Sequence, residues 1–76
     1  KAKAEVDFII EKNNKLIPIE VKTTLSSSKY GKSFKNFIGD YKSEQGYILS
    51  LNYTNKIKLG KSRVYFVPIF LISKAV

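Results

Sequence analysis

Cysteine, histidine, methionine and tryptophan are all missing from the 76 residues of this chain. Without cysteine there are no disulfides, thiolate zinc sites, iron–sulfur clusters or thiol nucleophiles. Without histidine there is no imidazole ligand, no Ser–His triad and no histidine general base. Chemistry must come from carboxylates, Lys, Ser/Thr, Tyr and backbone groups. A metal held by such groups is hard and oxygen-ligated, which favours Mg²⁺, Mn²⁺ or Ca²⁺. Also missing are a signal peptide and any apolar run long enough to span a membrane. Acid is scarce: six Asp+Glu stand against 14 Lys+Arg, a net charge of +8. That balance suits a polyanionic partner, although a lysine-rich proteome would give the same excess. So few carboxylates in a basic chain make their placement informative.

What is present reads as one small α/β domain with one modest core. Residues 4–12, AEVDFIIEK, alternate, with Val6, Phe8 and Ile10 on one face and Glu5, Asp7, Ile9 and Glu11 on the other. Residues 15–24, KLIPIEVKTT, alternate again, with Ile17, Ile19 and Val21 set against Leu16, Pro18, Glu20 and Lys22. Asn13-Asn14 between them tolerates positive φ and predicts a two-residue primed turn, hence a hairpin. The Ser26-Ser27-Ser28 stretch reads as a flexible loop. Phe34, Phe37, Ile38 and Tyr41 fall at i, i+3, i+4 and i+7, predicting a helix over 33–41 with Ser33 as N-cap and Gly39 weakening its end. GYILSL, residues 46–51, reads as a strand buried on both faces. A basic connector follows, with a weak strand at 56–59, and then a strand at 63–67. Pro68 marks either an edge or the start of a short helical turn. The link from 15–24 through the helix to 46–51 predicts a right-handed crossover to a parallel strand.

The hairpin register decides which acids meet. If Lys12 faces Lys15 across the turn, Asp7 faces Glu20 and Glu5 faces Lys22. Pair types alternate outward from the turn, so Asp7 and Glu20 fall on a non-hydrogen-bonded pair, where side chains are closest. Two carboxylates there repel and weaken the hairpin. A divalent cation between them would turn the repulsion into coordination. Lys22 shares that face two residues beyond Glu20. Asp7 and Glu20 as metal ligands, with Lys22 beside them, form the set that metal-assisted phosphodiester hydrolysis needs. The metal polarises the phosphate and acidifies bound water, and the lysine orients the water and offsets developing charge. Four of the six acids, Glu5, Asp7, Glu11 and Glu20, share this face.

Asp7 followed on the next strand by Glu20-Val21-Lys22, then a helix and a strand, resembles the PD-(D/E)xK superfamily with its restriction-endonuclease-like mixed sheet. The wording AEVDFII…LIPIEVKTT…GYILSLN…VYFVPIFLI is more similar still to the uncharacterised domain that lies C-terminal to the ATPase domain of bacterial and archaeal AAA-type ATPases. The resemblance covers residues 4 to 72. It implies that Asp7 and Glu20 ligate Mg²⁺ or Mn²⁺, that Lys22 orients the nucleophilic water, and that DNA is the substrate. Val6 stands where the motif has proline. The superfamily's first helix would precede Lys1 and is absent here. Residues 1–76 are thus expected to be one nuclease-like piece of a larger cytoplasmic ATPase, with ATP bound only upstream.

Each feature also has a plainer account. Asp7, Glu20 and Lys22 could form a surface salt-bridge cluster, which contributes little. Lys29, Lys32 and Lys35, near the helix start, suit phosphate contact or simple solubility, as do Lys56, Lys58, Lys61 and Arg63 in the connector. Gly31 and Gly60 make no phosphate-binding loop, and Tyr30 and Tyr53 are loop aromatics of no particular signature. The alternative to a nuclease is a non-catalytic DNA-binding or protein-interaction module that regulates the ATPase. Exposed strand edges would favour self-association or domain swapping.

Overall fold

Two asparagines turn the first hairpin. Asn13 and Asn14 both take positive φ, 54° and 64°, the pair of left-handed residues that a type I′ turn demands. Lys12 faces Lys15 across it, and the ladder runs outward to Phe8 and Ile19 in the predicted register. In the computed structural model, which describes residues 6–71, this hairpin is one edge of a mixed sheet. The elements in chain order are β1 (Phe8–Lys12), β2 (Lys15–Val21), α1 (Lys32–Tyr41), β3 (Gln45–Ser50), β4 (Asn55–Leu59), β5 (Ser62–Pro68) and a 3₁₀ turn, Ile69–Leu71. Glu5 and the start of the first predicted strand lie outside the described residues.

The strand order is β1-β2-β3-β5-β4. β2, β3 and β5 are parallel, and an antiparallel neighbour flanks them at each edge. A parallel link from β2 to β3 needs a crossover, and α1 supplies it. The β2–β3 ladder begins at Ile19, so the missing N–H of Pro18 removes no bond from it. β4 pairs with β5 over its whole length through the Gly60-Lys61 turn. Gly60 has φ of 64° and Lys61 lacks a positive φ, the pattern of a type II′ turn. No helix among the described residues is long and apolar enough to cross a membrane.

The helix packs on one sheet face, where Phe34 and Ile38 meet Ile48, Val64 and Phe66. Gly46 makes this approach possible. A Cβ there would lie 2.7 Å from Phe34 Cζ and 3.3 Å from Pro18 Cγ. The opposite face gathers Ile17, Ile19, Tyr47 and Leu49. Burial raises the Tyr47 phenol above its ordinary value, and the neighbouring Tyr65 adds to this. The two rings stack at 5.3 Å.

Several expectations change. Val6 does not share a face with Phe8 and Ile10; the chain bends at Asp7, and Val6 packs against the helix-side cluster. Phe8 and Val21 were expected to be buried but are exposed, because they lie at the outer end of the edge hairpin. The helix starts at Lys32 with Gly31 as N-cap, so Ser33 sits inside the first turn. Gly39 does not shorten the helix, which runs to Tyr41. Tyr41 is exposed, with its ring against Phe37. Pro68 ends β5 and leads into the 3₁₀ turn.

Candidate functional site

The site is built where β1 begins, β2 ends and α1 starts. In the hairpin register Val6 would face Val21, and the Val6 carbonyl would accept the Val21 N–H. The bend at Asp7 takes that carbonyl away. The Val21 N–H instead donates to Asp7 Oδ2 at 2.8 Å. Asp7 is therefore not a residue of the ladder directly opposite Glu20, as expected, but a side-chain cap on the end of β2. A carboxylate offers about four lone-pair sites, so this one bond leaves acceptor capacity.

Glu20 points to the helix side of the sheet, the face shared with Pro18. It is half-buried beside the N-terminus of α1. Gly31 N–H donates to Glu20 Oε1 at 3.4 Å, and Lys22 Nζ lies 2.8 Å from Glu20 Oε2. The helix has no acidic residue in its first turn and no side-chain cap of its own. Glu20 thus supplies the negative charge that a helix N-terminus favours. Gly31 keeps room for it, since a Cβ there would sit 3.2 Å from Glu20 Oε2.

Asp7 and Glu20 line one open pocket of about 360 Å³, together with Val6, Gly31, Lys32 and Ser33. Of the three lysines near the helix start that were named for phosphate contact, Lys32 borders this pocket, whereas Lys29 and Lys35 do not. Gly31 and Ser33 were not foreseen as part of it. The loop between β2 and α1 is pinned rather than loose. Asn52 bonds both the N–H and the carbonyl of Leu25, and Ser28 Oγ meets the Tyr53 hydroxyl and Asn55 Nδ2. Tyr53 also packs edge-on against Phe66, so its ring belongs to the rim of the core.

Among the described residues, no group of three or more acids is placed to hold a metal. Two carboxylates are nevertheless a suitable donor set for Mg²⁺. That ion keeps several waters and is commonly held by one or two carboxylates with substrate phosphate completing its shell. The pocket also lies at the carboxyl end of β2, the end of parallel strands where open α/β sheets bind ligands.

The family model for DUF4143, a domain of unknown function, matches residues 1–72 of the chain. No curated protein and no solved structure matches it significantly.

Proposed function

The chain belongs to the DUF4143 family, a domain of unknown function, and we propose that it is a nuclease-like domain of an AAA-type ATPase. In this reading it has a restriction-endonuclease-like core of the PD-(D/E)xK type and hydrolyses DNA phosphodiesters with Mg²⁺ or Mn²⁺. The observation that carries the proposal is the sharing of one pocket by Asp7 and Glu20, with the Lys22 ammonium 2.8 Å from Glu20 Oε2. Asp7 and Glu20 would hold the metal, which supplies Lewis acidity at the phosphate and a more acidic bound water. Lys22 would orient the attacking water and offset charge on the phosphoryl oxygens. Lys32, at the rim, would meet a flanking phosphate. The Val21 N–H keeps the Asp7 carboxylate aimed, and Gly31 keeps Glu20 against the helix end.

A second reading has its own observation. Both carboxylates already have partners within the chain, Asp7 on Val21 N–H and Glu20 on Lys22 and Gly31 N–H. A site serving only to tie the hairpin to the helix would use them in this way, as a non-catalytic DNA-binding or regulatory module. One assay separates the two. The full-length protein is incubated with supercoiled plasmid and Mn²⁺, as wild type, Asp7→Ala and Glu20→Ala. Nicking by the wild type and its loss in both variants is the expected result. Equal nicking by all three, or none by the wild type, would sink the catalytic reading.

A further inference from the structure

The β4–β5 hairpin sets like charges face to face across its ladder, which the first hairpin was expected to do with Asp7 and Glu20 and does not. Lys58 lies directly across the ladder from Arg63. Like charges in that position repel. Among the described residues, no carboxylate forms a salt bridge with either of them. Lysines on an edge strand do discourage edge-to-edge pairing, which accounts for Lys56 and Lys58. It does not account for Arg63, because β5 is an interior strand between β3 and β4.

Two clefts flank this hairpin and share Lys61 and Arg63. One, of about 320 Å³, is bordered also by Lys56 and Lys58. The other, of about 700 Å³, lies at the C-terminal end of α1 and adds Lys42 and Ser43. Lys42 holds a left-handed conformation, φ 51° and ψ 44°, that places a cation at the end of the helix. Ser43 is almost wholly buried, and its hydroxyl has no hydrogen-bond partner. The acid on this cleft, Glu44, lies 3.5 Å from Lys15 Nζ.

We infer that the β4–β5 hairpin and the adjoining end of α1 bind the phosphate backbone of nucleic acid. This surface is separate from the carboxylate pocket, at the other end of α1, and needs no metal. A row of cations spread along one hairpin matches a ligand with repeated negative charges. Arg63 brings the planar donor fork that suits phosphate oxygens. The Ser43 hydroxyl is closed off from solvent and is not one of these donors. Bound phosphates would remove the Lys58/Arg63 repulsion, so the strain within the free hairpin is relieved on binding.

The test is fluorescence anisotropy of a labelled DNA duplex with the full-length protein in EDTA, titrated with salt. The wild type is expected to bind at low salt, with affinity falling steeply as salt rises. Lys58→Gln, Lys61→Gln and Arg63→Gln should each weaken binding and reduce the slope of log K against log salt by about one. Lys58→Glu should weaken it further while keeping or raising the melting temperature, because it places opposite charges across the ladder. No duplex binding by the wild type, or variants with unchanged affinity and slope, would overturn the inference. So would polyglutamate competing as well as unlabelled duplex, which would indicate an acidic protein partner. Binding is read without metal and nicking with it, so failure here and failure of the nuclease reading give different results.

Discussion

The two edge hairpins are built alike and charged oppositely. Each has a two-residue turn, each flanks the parallel core, and each gathers like charges: Asp7 and Glu20 around one pocket at the end of the first, Lys58 and Arg63 across the ladder of the second. They differ in how the charge is satisfied. At the first hairpin the chain itself answers it, through Val21 N–H, Gly31 N–H and Lys22. At the second, no carboxylate among the described residues does so. The acidic end is therefore part of how the fold is held together, whereas the basic end, on the inference drawn above, is left for a partner. A charge that the fold uses cannot be removed without cost to stability, and a charge kept only for a partner can.

The largest effect expected from this contrast lies beneath the helix. Gly46 lets Phe34 settle over Pro18, and this brings the N-terminus of α1 down to Glu20. Phe34 is fully buried and cannot move aside. Gly46→Ala should cost about 1–3 kcal/mol as overpacking. For a domain of this size that is a fall in melting temperature of about 4 °C or more. Any duplex binding at the β4–β5 hairpin should survive below the new melting point. A neutral Gly46→Ala would mean that the helix is not held at this distance, and the placement of Glu20 beside it would lose its support.

Asp7 comes next. Asp7→Ala leaves Val21 N–H without its acceptor. A hydrogen bond to a charged group contributes about 1.5–3 kcal/mol when protected and less at an exposed position such as this one, so a loss of about 1 kcal/mol is expected. Asp7→Asn keeps an acceptor and removes the charge. A small loss for Asn and a larger one for Ala, by chemical denaturation in EDTA, would show that the bond outweighs repulsion from Glu20. Gain of stability in both variants would show that repulsion dominates, and the acidic end would then resemble the basic one.

Apart from the parallel crossover from β2 through α1 to β3, the parts of the fold that were legible in the sequence are local. Asn13-Asn14 and the alternation on either side gave the first register, and the spacing of Phe34, Phe37 and Ile38 gave the helix. Alternation tells which residues share a face but not which face a helix will cover. β2 is apolar on both sides, with Ile17 and Ile19 on one and Leu16 and Pro18 on the other, so the position of α1 over Glu20 depended on contacts distant in sequence. The helix cap failed for the same reason. Ser33 has the side chain for capping, but the carboxylate at the helix start comes from Glu20 on another element. The basic hairpin was within reach. Counting outward from the Gly60-Lys61 turn, as from Asn13-Asn14, puts Lys58 opposite Arg63.

The smallest effect is the one that tests the contrast most directly. In Lys58→Glu an acid faces Arg63 across the ladder. Cross-strand pairs of opposite charge contribute about 0.2–1 kcal/mol, and like charges cost a similar amount. The variant should thus be more stable than wild type by several tenths of a kcal/mol, about 1–5 °C in melting temperature. Lys58→Gln should fall between the two, since it removes repulsion without adding attraction. Both residues are exposed, so the differences should shrink as salt shortens the screening length. Thermal melts of the three proteins at low and high salt measure this. A destabilised Lys58→Glu would mean that the lysine stem covers apolar sheet surface. The basic hairpin would then be using its charge-bearing side chain for the fold, as the acidic one does, and the two ends would no longer differ in kind.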